Sequence, residues 1–255
     1  MNKKLVKVAV FAAFSFFSLI SLNACGDDSS SVNSAANNTT LNGSWYYYVG
    51  SNNVDVKWGA FPDLAPIQET NSVGEGYAVA PSVIASCSGG VCGKVSLKSS
   101  ADGDWNALLL QYFIEPDNWQ NGNDLSALQG ICLKYNVIYS GDAVNDYTNS
   151  LQVMSITLEA ADNLVSARDY NAKFRYNVDE NLITGNLGDI RVLNLAWSDF
   201  VWPTSDTFYA NEPYTLEQAV AHLHGIQIRF VQYEENDVTV MFFIQKIGAY
   251  GTCAN

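Results

Sequence analysis

The stretch GIQIRFVQY, residues 225–233, decides the fold class because its side chains alternate between apolar and polar from 226 to 230. Ile226, Ile228 and Phe230 fall on one side of an extended chain, while Gln227 and Arg229 fall on the other. The stretch ICLKYN, residues 131–136, alternates in the same way. Such segments have one dry face and one wetter face, which is typical of strands that cover a core on one side only.

The same kind of segment recurs along the chain, separated by Gly, Asn, Asp and Pro. Short runs rich in β-branched and aromatic residues predict eleven strands, at 45–49, 54–60, 76–80, 91–97, 105–114, 130–137, 151–158, 172–178, 190–197, 225–233 and 238–247. Even spacing of short strands predicts an all-β protein, a β-sandwich or jelly roll. One short helix is expected at 215–224, with Thr215 as its N-cap and Gly225 at its end.

The N-terminus has the pattern of an export signal. Lys3, Lys4 and Lys7 precede an apolar run at 8–20, and Leu22-Asn23-Ala24-Cys25 follows. The segment resembles a bacterial lipoprotein signal, which implies a lipid such as palmitate on Cys25 after cleavage behind residue 24. A transmembrane anchor is the alternative, but the apolar run is shorter than the roughly 20 residues that a spanning helix needs. We therefore expect an extracytoplasmic, membrane-anchored lipoprotein, at the outer membrane or the cell surface.

The next segment, residues 26–42, reads GDDSSSVNSAANNTTLN and carries no aromatic side chain. Too little apolar surface is present for it to order itself, so it predicts a flexible tether. The expected organisation is a signal peptide at 1–24, the lipidated cysteine and tether at 25–42, and one β-sandwich domain at 43–255.

Charge excludes one class of partner. The formal charge is -13, and the leader removes three lysines and no acid, which leaves 10 basic against 26 acidic residues. Such a surface repels phosphate backbones, so nucleic acid is not an expected partner. Charged residues make up only 15% of the chain while aromatic residues reach 13%, a mixture that suits sugar recognition.

Four cysteines remain once Cys25 carries lipid, and an even number in an exported protein predicts two disulfides. Three pairings are open. We expect Cys87 with Cys92, which share a Gly-rich turn, and Cys132 with Cys253, which lie in separate apolar stretches. A zinc site is the alternative, although zinc normally takes CxxC pairs.

Signals for catalysis and metal binding are weak. His222 and His224, two apart on the expected helix, point in different directions and would not share a metal ion. The acidic clusters are Asp102 with Asp104, Glu115 with Asp117, and Glu234 with Glu235 and Asp237. All of these residues except Glu115 read as turn or loop residues. Oxygen ligands for Ca²⁺ are offered by Asp102, Asp104, Asn121, Asn123 and Asp124, but the DxDxDG loop with its terminal Glu is missing. No cofactor is expected, with a structural Ca²⁺ as the open alternative.

Aromatic side chains in irregular polar segments are the stronger signal. Trp119, Trp202 and Tyr209 lie in such segments, where a large ring is either a platform for a sugar or a plug that pins a loop to the core. Lys134 and Arg175 lie in mid-strand on wetter faces, where they can reach sugar hydroxyls or form salt bridges.

Three segments carry a resemblance to a known family. DLSALQGI at 124–131 and LAWSDF at 195–200 resemble the corresponding strand entry and "W-S-D-F" step of galactose-binding-like, jelly-roll carbohydrate-binding modules. IGAYGTC at 247–253 resembles the end of lipoproteins from plant-fibre-degrading bacteria, in which the late cysteine bridges to the strand that begins GIC. The resemblance implies a noncatalytic sugar-binding domain in which the rings of Trp202 and Trp58 contact sugar.

The expected function is therefore noncatalytic binding of plant polysaccharide by a lipid-anchored domain. The expected ligand-binding residues are Trp58, Trp119, Trp202, Tyr209, Lys134 and Arg175. A structural or assembly lipoprotein that binds a protein partner at the cell surface is the alternative, which a contiguous exposed apolar area would favour. A glycoside hydrolase is the third, and it would need two carboxyl groups about 5 to 9.5 Å apart.

Overall fold

The structure is a computed structural model that describes a defined part of the chain. The described residues are 41–50, 54–66, 77–98, 106–114, 121–140, 154–161, 173–179, 182–183, 186, 188–203, 214–232 and 237–254. The chain divides into residues 1–37 and 38–255, and the described residues all belong to the second unit. The expected leader, Cys25 and most of the expected tether lie outside the described residues.

Strands dominate the described chain. They are β1 Gly43–Val49, β2 Val54–Trp58, β3 Ala65–Pro66, β4 Tyr77–Ala78, β5 Val91–Leu97, β6 Asn106–Ile114, β7 Gly130–Ser140, β8 Met154–Ala160, β9 Arg175–Asn177, β10 Arg191–Ala196, β11 Leu223–Gln232 and β12 Val238–Ala249. Two short helices accompany them, α1 Pro81–Ser86 and α2 Leu216–Ala221, with a 3-10 turn at Trp197–Asp199. All eleven expected strands are present, whereas β3 and α1 were not expected.

Two six-stranded antiparallel sheets form the sandwich. Sheet A has the strand order β4-β1-β6-β11-β8-β9, and sheet B has the order β10-β7-β12-β5-β2-β3. From β5 to β8 and again from β10 to β12 the chain crosses from one sheet to the other at every connection. The expected jelly-roll β-sandwich is confirmed.

The alternation in the sequence sets the two faces of each sheet. In β11, Ile226, Ile228 and Phe230 are fully buried in the core between the sheets, so Gln227 and Arg229 point to the outer face of sheet A. Pairing places Ile228 of β11 opposite Leu110 of β6 and Ile156 of β8, which are also fully buried. A one-residue slip would turn this entire set outward, so burial fixes the register.

Both expected disulfides are confirmed. Cys87 bonds to Cys92 across the turn between α1 and β5, and Cys132 of β7 bonds to Cys253 beyond β12. The second bond closes a loop with a sequence separation of 121 residues and ties the end of the chain to the strand beside β12.

The expected helix is shorter than its sequence pattern. Thr215 caps it as expected, because its side chain accepts from the backbone N–H of Gln218 while the Gln218 side chain accepts from the backbone N–H of Thr215. The prediction that Gly225 ends the helix is wrong. His222 is the C-cap and β11 begins at Leu223, because ladder pairing with β6 and β8 outweighs helix propensity here.

The segment DLSALQGI at 124–131 has the expected local role. Asp124 Oδ1 accepts from the backbone N–H of Ser126, so it caps the turn, while Leu125 and Ile131 are buried in the core.

Among the described residues no helix is both long and apolar enough to cross a bilayer.

Candidate functional site

The outer face of sheet A carries a continuous row of side chains that can hydrogen bond. Strand register places one residue of each strand side by side across five neighbouring strands: Tyr46, Gln111, Gln227, Thr157 and Arg175. We call this set the polar row. Hydroxyl, amide and guanidinium groups make up the whole row, so it offers both donors and acceptors and only one charge.

The centre of the polar row is buried and its flanks are half-buried. Thr157 and Gln227 are 0% and 2% exposed, and the Thr157 hydroxyl donates to Gln227 Oε1 over 3.4 Å. Tyr46, Gln111 and Arg175 are half-buried. The inner pair therefore acts as a fixed support, while the three flanking side chains are each partly exposed.

Three rings linked by contacts lie at one end of this row, and one of them, Tyr46, belongs to it. The imidazole of His224 stacks on Phe113 with centroids 4.4 Å apart and planes 7° apart, and Phe113 in turn contacts Tyr46 with centroids 5.1 Å apart. We call His224, Phe113 and Tyr46 the ring cluster. All three are half-buried, so the cluster presents flat apolar surface next to the amide of Gln111.

Local structure explains why the rings can lie so close. Gly225 lies opposite Phe113 in the β11 to β6 pairing, and a Cβ built on it would come within 2.8 Å of Phe113 Cδ1 and 2.9 Å of the Tyr112 carbonyl oxygen. Only glycine leaves that space open for the Phe113 ring. The β-bulge between Leu223 and Gly225 sits at the same point and directs His224 toward the ring.

A buried tyrosine fixes the strand that carries Tyr46. Tyr112 Oη accepts from the backbone N–H of Gly43 over 2.8 Å and donates to the carbonyl of Leu41 over 2.6 Å. Burial raises the pKa of Tyr112, so its hydroxyl stays neutral and keeps both bonds. The first residues of β1 are therefore held on β6.

Among the described residues, one ion pair lies on this face. Lys173 Nζ donates to both carboxylate oxygens of Glu159, whose strand neighbour Gly225 lies beside the ring cluster. The side chains are 15% and 11% exposed for Lys173 and Glu159. The carboxylate is therefore occupied by a cation rather than held near a second acid.

Two clefts border the sheets. One of about 550 Å³ lies between β1 and α1, and its wall includes Tyr46 of the ring cluster. Another of about 300 Å³ lies on the outer face of sheet B. The first extends the ring cluster toward the edge of sheet A.

The structure brings few of the expected ligand-binding residues together. Trp58 is 3% exposed and packs against Tyr47 and Phe242, while Trp202 is 8% exposed and packs edge-on against Phe174. A stacking platform needs an open ring face, so the expectation for these two tryptophans is corrected: both belong to the core. Trp119 and Tyr209 lie outside the described residues.

The two expected cations lie on opposite sides of the sandwich. Arg175 belongs to the polar row of sheet A, whereas Lys134 points from the outer face of sheet B. The Arg175 Nε atom is buried and makes no hydrogen bond within the described residues, so its donor capacity is not consumed there. Arg175 is thus the one expected residue that joins the described site.

Metal ligands are not assembled in the part of the chain that the structure describes. No group of three or more His, Cys, Asp or Glu side chains is placed there to hold an ion. Of the oxygen ligands considered for Ca²⁺, Asp102 and Asp104 lie outside the described residues, and the Asn123 amide donates to the Ile114 carbonyl over 2.9 Å.

The sequence did not mark Tyr46 or Phe113 as site residues, and it raised His224 only as a metal ligand. Alternation in 45–49 and 105–114 marks Tyr46 and Phe113 as outward, but it does not show that β1 and β6 are neighbours. Only the pairing in the structure shows that β1 and β6 are neighbours, because it joins distant parts of the chain.

No protein-family model matches the chain, and no curated protein is significantly similar to it in sequence. Two solved structures are similar in fold. The family 11 carbohydrate-binding module of a cellulosomal cellulase from Clostridium thermocellum has 12% identity and a TM-score of 0.39, and the match covers 82% of this chain and 88% of that chain. A family 11 module from the same organism in complex with a β-1,3-1,4-mixed-linked tetrasaccharide has 11% identity, a TM-score of 0.37 and coverages of 82% and 89%. The fold assignment rests on the strand order and register of this chain.

Proposed function

We propose that the outer face of sheet A binds a neutral polysaccharide of the plant-wall type without cleaving it. The observation that carries the proposal is the position of the ring cluster directly beside the polar row. A sugar has two recognisable surfaces, an apolar C–H face and a rim of hydroxyls, and this face of the protein offers a partner to each.

The ring cluster supplies the apolar contact. Phe113 is held between His224 and Tyr46, so it loses little freedom when a pyranose packs on the cluster. Preorganised rings are the side chains that contribute most to affinity at such surfaces.

The accessible part of the polar row supplies the hydrogen bonds. Gln111 offers a carbonyl oxygen and an amide to neighbouring hydroxyls, and Arg175 adds donors at the far edge of the sheet. Because Thr157 and Gln227 are already bonded to each other, the support beneath the ligand needs no rearrangement. Neutral hydroxyls fit this set better than a charged ligand does.

The carboxylates support a noncatalytic role. Among the described residues that face outward from sheet A, Glu159 is the one acid, and Lys173 occupies both of its oxygens. Glycoside hydrolysis normally takes two carboxyl groups on either side of the scissile bond. The described part of this face offers one carboxyl group, that of Glu159.

Membrane anchoring through Cys25 belongs to the same proposal. The basic start, the apolar run and Leu22-Asn23-Ala24-Cys25 support it, and the segment 26–42 has the composition of a tether. Anchored in this way outside the cytoplasm, the domain holds polysaccharide near the cell.

Native affinity electrophoresis tests the sugar-binding proposal. The full-length protein, kept in a detergent without sugar headgroups, is run through gels that contain mixed-linkage β-glucan, xylan or mannan. We expect at least one polysaccharide to retard the wild type, and Y46A/F113A to lose roughly tenfold or more in affinity, since two stacking contacts are removed.

A matched variant controls for general damage. Tyr250 is an exposed tyrosine just beyond the end of β12 in sheet B, so Y250A removes the same kind of ring from the other sheet. Retardation equal to that of the wild type is expected. Migration that none of the three polysaccharides changes would count against the proposal, as would equal losses in Y46A/F113A and Y250A.

A further inference from the structure

The outer face of sheet B carries two pairs of lysines in direct cross-strand contact positions. Lys57 of β2 lies opposite Lys94 of β5, and Lys134 of β7 lies opposite Lys246 of β12. Residues opposite each other in an antiparallel ladder share a face with Cβ atoms about 5 Å apart, and like charges there destabilise the sheet. We call these four residues the lysine face.

This concentration of positive charge is unusual for the chain. Acidic residues outnumber basic ones by 26 to 13, and only six lysines follow residue 25. Four of those six form the lysine face. A sequence that violates a local pairing rule twice on one face, at a cost in stability, points to a function there.

The charges are not cancelled by ion pairs within the described residues. The salt bridge found there joins Lys173 to Glu159 on the other sheet. Lys246 Nζ donates to the Thr252 carbonyl over 2.8 Å, which leaves its charge in place. Asp55, two residues before Lys57 on β2, points to the same face and lies opposite Ser96.

An apolar cavity lies between the two lysine pairs. Met241 lies opposite Lys94 in the pairing of β12 with β5. Phe243, two residues further along β12, lies between Asn136 and Cys92. These side chains are part of the lining of the cleft of about 300 Å³ on sheet B. Its rim includes Phe61 and Ile190, which are 60% and 42% exposed.

Both walls of this cavity are tied to the sheet. Gly59 donates its backbone N–H to the Cys92 carbonyl over 3.0 Å, which fixes the segment that carries Phe61. Asn136 Nδ2 donates to the carbonyls of Asn186 and Asp189, over 3.1 and 2.8 Å, which fixes the segment before Ile190. The cavity is therefore formed before any ligand arrives.

The spacing determines what kind of ligand can use both pairs. Lys246 lies five positions after Met241 on β12, or about 15 Å away at the usual rise of a strand. A single carboxylate or phosphate cannot span that distance, so the ligand must be extended and carry several anionic groups. A concave apolar pocket between the charges fits a ring of a polymer better than a flat membrane surface.

We propose that the lysine face binds a carboxylated polysaccharide. Uronate carboxylates accept hydrogen bonds from the ammonium groups of Lys57, Lys94 and Lys134, and one pyranose ring lies in the cavity against Phe243. This second site lies on the opposite sheet from the ring cluster and takes a different ligand class, so it does not depend on the function proposed above.

Affinity electrophoresis with polygalacturonate tests this proposal on the full-length protein in the same detergent. Retardation is expected at low ionic strength, weaker retardation at 0.5 M salt because screening shortens the reach of charge, and none with fully methyl-esterified polygalacturonate. The K57Q/K94Q/K134Q variant should lose roughly tenfold or more in affinity, while K57R/K94R, which keeps the charge, should retain binding.

Three control variants show whether binding depends on the position of these lysines. Lys98 is an exposed lysine just beyond the end of β5, so K98Q should bind polygalacturonate as the wild type does. Y46A/F113A should also bind it normally, which keeps this result separate from the fate of the site on sheet A. The K94Q variant should unfold at a slightly higher temperature than the wild type, because a like-charge contact is relieved.

Four outcomes would overturn the proposal. They are an absence of retardation, equal retardation by the methyl ester, retardation that the triple lysine variant leaves unchanged, and stronger capture by poly-glutamate or by phosphatidylglycerol in the micelles than by polygalacturonate.

Discussion

His224 and Phe113 lie parallel, with ring centroids 4.4 Å apart and planes 7° apart, although the two residues are distant in the sequence. The contact exists because β11 pairs with β6 and because Gly225 leaves the space that the Phe113 ring fills. Two features of the backbone thus create the flat surface that the proposed sugar site needs.

The first prediction concerns Gly225. In G225A the new methyl group would press on Phe113 Cδ1 and on the Tyr112 carbonyl, so the ring must move away from His224. We expect polysaccharide affinity to fall although no ring is deleted, with a loss of about 1–3 kcal/mol in the free energy of unfolding. Affinity electrophoresis and urea unfolding measure the two effects.

Gly251 provides the comparison for that variant. No atom lies within 4 Å of a Cβ built there, although its φ of +80° makes any substitution strained. G251A should therefore lose stability through strain alone and keep its affinity for polysaccharide. Unchanged affinity in G225A would show that the position of the Phe113 ring is irrelevant to binding.

The second prediction concerns the two disulfides. Cys132–Cys253 closes a far longer loop than Cys87–Cys92, with sequence separations of 121 and 5. In the chain-entropy model, C132A/C253A loses about 5 kcal/mol in the free energy of unfolding and C87A/C92A about 2 kcal/mol. Urea unfolding without reductant compares them, and equal losses would contradict a role for loop length.

The third prediction concerns pH. Burial raises the pKa of Tyr135 to about 12, and its hydroxyl donates to the Leu182 carbonyl over 2.9 Å. A raised pKa in the folded state means that the neutral hydroxyl stabilises the fold. That contribution is complete below pH 10 and is lost as the pH rises through about 12.

The Y135F variant isolates this effect. It should lose about 1 kcal/mol at pH 7, where the hydrogen bond is removed, and its free energy of unfolding should fall less steeply than that of the wild type between pH 10 and 12. Tyr112 has a raised pKa as well, so part of the wild-type slope should remain. Parallel curves for the two proteins would refute the assignment to Tyr135.

The fourth prediction concerns Cys25. In C25A the residue proposed to carry lipid is absent, so the precursor should stay unprocessed and should not be labelled by palmitate in the cell. Labelling with a palmitate analogue, followed by fractionation, measures both. Incorporation of the label into C25A would refute lipidation at this position.

Much of the fold could be predicted because one face of most strands is buried. Runs rich in β-branched and aromatic residues located the long strands, alternation marked the buried face of several, and β5 was predicted with its observed bounds of Val91–Leu97. The helix was predicted too long because apolar spacing at 215–224 suits a helix, whereas Leu223 pairs with Ala160 in the β11 to β8 ladder. Helix propensity depends on residues that are close in the sequence, whereas the strand pairing that outweighs it joins distant parts of the chain.

The site was harder to predict because it depends on which strands are neighbours. The sequence shows that Gln227 faces away from the core, but its position beside Gln111 follows only from the pairing of β11 with β6. Trp202 illustrates the reverse case. Its segment is polar and irregular, yet Phe174 and Tyr214 surround the ring and bury it.

The most direct test of the central claim is an NMR titration of the full-length protein in detergent with cellohexaose, xylohexaose and mannohexaose. We predict that one of the three shifts the amide and ring signals of Tyr46, Gln111, Phe113 and His224, while those of Lys94 and Lys134 on sheet B stay in place. Shifts confined to sheet B, or no shifts with any of the three sugars, would contradict the claim that the outer face of sheet A binds neutral polysaccharide.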